Sequence, residues 1–204
     1  GSGQTIASQG MIHGGIKYAL SGALNSAANT IADMPSHWET CLQGKGDVDL
    51  RGTNILSEQY YMWPKNSVRS RLNAFLGSKA LRGRVKAINM AEYPAFFQSN
   101  IDGPLYQLND LVLDVPSLLE TLSKPYREYI RKIDWSLTHI IKNDTGGIQH
   151  LIINDEQSGN DAIEIQAQRY LLSSGEGTED LLNRFALANN NPIEMQLRPL
   201  QMTM

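Results

Sequence analysis

Asp33, His37 and Cys41 stand four residues apart. On a helix that spacing would stack a carboxylate, an imidazole and a thiol on one face, as a zinc site requires. Pro35 falls among them and is expected to prevent a regular helix there. Asp47, Asp49, Gly52 and Glu58 match positions 1, 3, 6 and 12 of a calcium loop. Position 5, where an oxygen is needed, is Arg51, and residues 43–46 offer no entering helix. The expectation is therefore that no metal is bound.

Other chemistry fares no better. Cys41 with His13, His139 or His150 could form a thiol dyad, but a cysteine and a few histidines occur in most chains of this length. Glu39 and Asp47 could act as a carboxylate pair on a glycoside, yet nothing in the sequence fixes the separation that chemistry needs. The run Gly44-Lys45-Gly46-Asp47 lacks the Gly-Lys-Ser/Thr of a phosphate loop. No Gly-x-Gly-x-x-Gly, Gly-x-Ser-x-Gly or His-Glu-x-x-His is present. On these grounds the chain is expected not to be an enzyme, to have no catalytic residue and to bind no cofactor.

Charge is segregated along the 204 residues, whose formal net charge is −3. Lys65, Arg69, Arg71, Lys79, Arg82, Arg84 and Lys86 form a basic segment without an acid, and residues 87–123 reverse the sign. Such blocks can pair face to face in an assembly and set its register. Gripping nucleic acid or another anionic partner is the alternative. It is not favoured, because only Phe75 interleaves the bases and the whole chain is acidic.

The elements that must position these residues follow from periodicity. Residues 1–15 read as an extended arm. Ile16 to Ala32 has helical spacing, with Ala19, Gly22, Ala23 and Ala27 as a small-residue strip that lets another helix approach closely. Met34-Pro35 should end that helix, and residues 33–53 read as loop with room for a short helical turn. Helices are expected over 54–63, 67–76 and 79–90, and a strand or ordered loop over 105–115. Ser117 and Glu120 suggest a capping box. The clearest helical face is Tyr126, Tyr129, Ile130, Ile133, Leu137, Ile140 and Ile141, capped by Ser123. Ile148–Ile153 and the alternating Ile163, Ile165 and Ala167 predict a hairpin, and Thr178 can cap a helix over 179–188. Residues 193–204 form an extended tail in which Ile193, Met195 and Leu197 alternate with polar neighbours. His139 and His150 read as structural histidines, and Trp38, Trp63 and Trp135 as core or interface anchors.

The sequence thus predicts an α+β chain, a mostly helical single domain over 1–204 with a C-terminal β-hairpin and extended termini. No membrane-spanning segment and no leader pattern is evident. Fifteen Asn and twelve Gln beside few charges fit a building block. The expected role is a non-enzymatic structural subunit of a large symmetric homo-oligomer, a phage or virion part or a secretion-machine component of the bacterial envelope. Its partners would be copies of itself and other subunits, met through Ala19, Gly22, Ala23, Ala27, Ile193, Met195 and Leu197.

Overall fold

A computed structural model describes residues 4–16, 31–63, 85–154 and 162–187. The chain divides into two compact units, Gly1–Tyr126 and Arg127–Thr203.

The first unit is organised by the run from Leu105 to Val115. Its apolar residues are almost all out of solvent: Leu105, Tyr106, Leu108, Leu111, Leu113 and Val115 are buried, Leu105 and Leu113 completely. The run forms two strands, β5 (Tyr106–Leu108) and β6 (Leu111–Leu113), joined by Asn109-Asp110. Each is the middle strand of its own antiparallel sheet. Around β5 lie β3 (Tyr60–Met62) and β4 (Val85–Ala87), with Tyr60 and Val85 both opposite Leu108. Around β6 lie β1 (Met11–Ile12) and β2 (Ile55–Ser57), with Ile12 opposite Leu111. The register of β2 slips between Ile55 and Ser57, and Leu56 projects into solvent at this irregularity.

Helices close the ends of these strands. Gln4–Ala7 (α1) precedes β1, and Ala95–Gln98 (α3) lies between β4 and β5. Val115–Ser123 (α4) starts where Asp114 accepts a bond from the Ser117 amide at 3.0 Å. That cap lies three residues before the expected Ser117. The Ser117 hydroxyl accepts instead from the Asn54 amide at 2.9 Å and fastens the helix start to the approach of β2. Tyr93 makes a similar tie. Its hydroxyl accepts from the Leu105 amide at 2.9 Å and donates to the Gly103 carbonyl.

The helix Met34–Leu42 (α2) is nine residues long, more than the short turn expected within the 33–53 loop. Pro35 sits in its first turn, where the missing N–H has no intrahelical partner to lose, so it starts the helix rather than breaking it. The helices expected over 54–63 and 79–90 are replaced, where described, by β2, β3 and β4. Tyr60, Tyr61 and Val85 are β-favouring residues, and a buried partner strand decides the matter over their helical spacing. The arm expected over 1–15 contains α1 and β1.

In the second unit, β7 (His139–Lys142), β8 (Ile148–Asn154) and β9 (Ala162–Ile165) form one antiparallel sheet with β8 central. The expected pairing of β8 with the Ile163/Ile165 segment is present, and the isoleucines lie on the more buried face. Gly177–Arg184 (α5) follows, with Leu181 buried. Its neighbour Phe185 packs on Trp135, ring centres 5.8 Å apart.

The long helix expected over 126–141 does not form. Lys124–Tyr129 and Trp135–Leu137 are short 3-10 turns, and Ile140 and Ile141 belong to β7. Asp134 accepts from both the amide and the hydroxyl of Ser136. This local turn competes with the helix, while isoleucine and threonine prefer the strand. Tyr126 and Tyr129 are exposed. Among the described residues the fold is therefore three small antiparallel sheets with short helices, and the expected mostly helical domain is overturned. The strip Ala19, Gly22, Ala23 and Ala27, the tail with Ile193, Met195 and Leu197, and the helix expected over 67–76 lie outside the described residues.

Gly10 permits the close approach of β1 to β6. It has φ +65°, its carbonyl accepts from the Leu113 amide at 2.9 Å, and an added Cβ would overlap the Leu113 carbonyl. Gly10→Ala should lower stability by about 1–3 kcal/mol. The check is the urea midpoint; an unchanged midpoint would contradict this strand placement.

Candidate functional site

A cleft of about 400 Å³ opens in the first unit. One wall is β3 continued into Trp63, and it brings Tyr60, Tyr61, Met62 and Trp63 to the cleft together. Phe97 supports this wall from α3, its ring 5.3 Å from those of both Tyr61 and Trp63. Met11 and Ile16 contribute from the N-terminal side, and Leu108 from the core. Two polar groups stand among these apolar ones, His13 and Asp110.

Asp110 is buried because it joins two buried strands. Its Oδ1 accepts from the Gly14 amide at 3.1 Å. His13 Nδ1 accepts from the Gly15 amide at 3.2 Å, which leaves the proton of a neutral ring on Nε2. Gly15 has φ +71°, so the tight turn after β1 requires glycine there. A mostly apolar, aromatic cleft with few polar groups suits one small molecule, oriented by a carboxylate and an imidazole.

A second constellation lies on α2. His37 and Cys41 are one turn apart, and the following loop returns Asp47 to them; their ligand atoms lie within 4.8 Å of one another. The hydrogen bond from the Cys41 thiol is the chief influence holding the Asp47 carboxyl below its ordinary range. Neither metal pattern read from the sequence assembles as expected. Asp33 and Glu39 are not in this group. Asp49 is taken by Arg51, Nη2 to Oδ2 2.6 Å, whose bonds hold its carboxyl down at about 2. His139 is exposed on β7, and His150 lies 3.7 Å from Glu164. Trp38 and Trp135 are half-buried, while Trp63 is half-exposed at the cleft. Of the basic segment, Lys86 is described and lies exposed on β4; Lys65, Arg69, Arg71, Lys79, Arg82 and Arg84 fall outside the described residues.

No protein-family model matches the chain. It is 39% identical over 207 aligned positions to a Pseudomonas aeruginosa protein, "Probable FAD-dependent oxidoreductase PA4991". The chain is similar to a flavoenzyme. The match covers 100% of this chain and 49% of that protein, so the chain spans about half the length of this curated relative. The crystal structure of the FAD dependent oxidoreductase PA4991 superposes with a TM-score of 0.63 and 28% identity. It covers 91% of this chain and 41% of that one.

These likenesses overturn the expected role. A non-enzymatic structural subunit, a virion or secretion-machine part, and a module gripping an anionic partner all give way to kinship with an oxidoreductase. The expectation that the chain is no enzyme fails for the same reason, as does a place in the bacterial envelope or virion. Among the described residues, no helix is long and apolar enough to cross a membrane.

The fingerprint that would cradle the pyrophosphate of FAD is not in this sequence. A dinucleotide fingerprint opens a helix after a strand of a parallel sheet. The sequence has no Gly-x-Gly-x-x-Gly, and every sheet among the described residues is antiparallel.

The cleft wall was hidden from sequence reasoning by the helix expected over 54–63. The run Tyr60-Tyr61-Met62-Trp63 was itself a β signal. Asp110 was visible only as one acid in a block, although Asn109-Asp110 between two apolar runs marks a turn.

Removing the Asp110 carboxylate strands the buried Gly14 amide. Asp110→Ala should cost about 1–3 kcal/mol, read from chemical denaturation. Hydrogen exchange at the Gly14 amide should quicken; unchanged protection there would show that the bond is not formed.

Proposed function

We propose that this chain contributes the substrate-binding side of an FAD-dependent oxidoreductase, the dinucleotide being held by sequence outside these 204 residues. The observation that carries the reading is the 39% identity, along the whole of this chain, to a protein so named. The cleft supports it. Tyr60, Tyr61, Met62 and Trp63 offer a flat apolar wall to a small substrate, and the Asp110 carboxylate and the His13 ring orient its polar end. Substrates that carry an N–H or O–H donor on an apolar body match that donor–acceptor pattern.

The test uses protein expressed from the complete reading frame. It should carry FAD, and anaerobic mixing with a panel of small amines, alcohols and hydroxy acids should bleach the flavin absorbance with at least one member. Trp63→Ala, at the half-exposed end of the wall, should keep the flavin and raise KM roughly two- to tenfold, since an aromatic contact contributes about 0.5–1.5 kcal/mol. A colourless protein that takes up no FAD would overturn the reading.

A further inference from the structure

The second constellation lies apart from the cleft residues and is not used by the proposed reaction. We propose that His37, Cys41 and Asp47 form a three-ligand site for a borderline-soft divalent cation of the zinc type, with a fourth position open to solvent. The sequence argued against a metal here because of Pro35, and the helix that Pro35 begins removes the objection. Residues 34–42 are regular helix, so the His37 and Cys41 side chains lie one above the other. The Asp47 Oδ1 atom is 3.3 Å from Cys41 Sγ and 3.2 Å from His37 Nε2. Three ligands around one zinc ion, at about 2.0–2.3 Å each, stand at comparable mutual separations. One carboxylate oxygen thus lies beside both groups that a cation would hold directly, accepting a hydrogen bond from the thiol.

The loop is built to keep Asp47 there. The Lys45 and Gly46 amides both donate to the Thr40 carbonyl, at 2.8 and 3.0 Å, and the Leu50 amide donates to the Cys41 carbonyl at 3.0 Å. Gly46 passes so close to the thiol that an added Cβ would overlap Cys41 Sγ. Accessibility is divided usefully. The cysteine is buried, while His37 and Asp47 are half or more exposed, so an ion can enter from solvent.

Charge and donor type then choose the ion. Thiolate, carboxylate and neutral imidazole together carry −2, which a divalent cation neutralises. The sulfur and nitrogen donors favour zinc-type ions over calcium or magnesium. The cations of the neighbouring loop are directed elsewhere, Arg51 to Asp49 and Lys45 to Gln43. Binding exchanges protons for the ion: the Cys41 thiol loses its hydrogen to solvent, Asp47 binds as the carboxylate, and His37 ligates through Nε2 only with the ring's remaining proton on Nδ1.

The experiment titrates Zn²⁺ and Co²⁺, each alone, into the metal-stripped full chain, with no flavin present, so its outcome is independent of the reading above. One equivalent should bind. Co²⁺ should produce a thiolate-to-metal absorption band that Zn²⁺ abolishes, and calorimetry in two buffers should register about one proton released per ion at neutral pH. Cys41→Ser should remove the band. Because Cys41 is buried and its variant can fail to fold, His37→Asn and Asp47→Asn, at exposed positions, carry the test independently. Each should weaken Zn²⁺ affinity at least tenfold, while Asp33→Asn leaves it unchanged. No saturable binding, a Co²⁺ complex without the sulfur band, or Zn²⁺ affinity untouched by His37→Asn and Asp47→Asn would overturn the proposal.

Discussion

The first unit depends on burying one short stretch of backbone on both of its edges. Residues 105–115 are the middle of two sheets in succession, so their amides and carbonyls find partners on each side. Their apolar side chains are hidden, Val112 alone being half-buried. A central strand cannot leave a peptide group unpaired without a penalty of about 1–3 kcal/mol per group. Where the two strands meet, at exposed Asn109 and buried Asp110, the ladder cannot continue. There the Asp110 side chain accepts from the buried Gly14 amide, which ties the turn after β1 to the junction of the two strands. The floor of the cleft, the N-terminal strand and the aromatic wall are all placed by that arrangement.

Legibility in the sequence divides along physical lines. Where a strand is half-buried, alternation is strong, and Ile163 and Ile165 announced β9 and its partner correctly. Where strands are three residues long, no period develops, and β2, β3 and β4 were absorbed into helical spacings. The 126–141 segment failed for a different reason. Its apolar residues recur at helical intervals, yet Asp134 with Ser136 and the paired isoleucines 140 and 141 are satisfied locally by a turn and a strand. Periodicity counts side chains and is blind to such competing backbone bonds.

The sites show the same contrast. Pro35 was weighed as a helix breaker, though its effect depends on where the helix begins. With the start at Met34, two metal patterns that each failed alone exchanged members: Asp47 left the calcium pattern and joined His37 and Cys41. The cleft was less accessible to reasoning, since its residues come from positions 11–16, 60–63 and 108–110 and meet only through the two sheets. The likeness to a protein named as an oxidoreductase lay beyond any local motif, because no dinucleotide fingerprint is present in these residues.

The bond between Gly14 and Asp110 joins residues 96 apart in the chain. Closing so long a loop carries an entropic cost that local pairings do not bear. The sheet around β5 can assemble from nearer segments, whereas β1 must wait for β6 to exist. During synthesis, Met11 and Ile12 therefore wait for their partner strand until roughly a hundred further residues have emerged. The cleft bordered by the N-terminal strand therefore cannot be complete before β6 has been made.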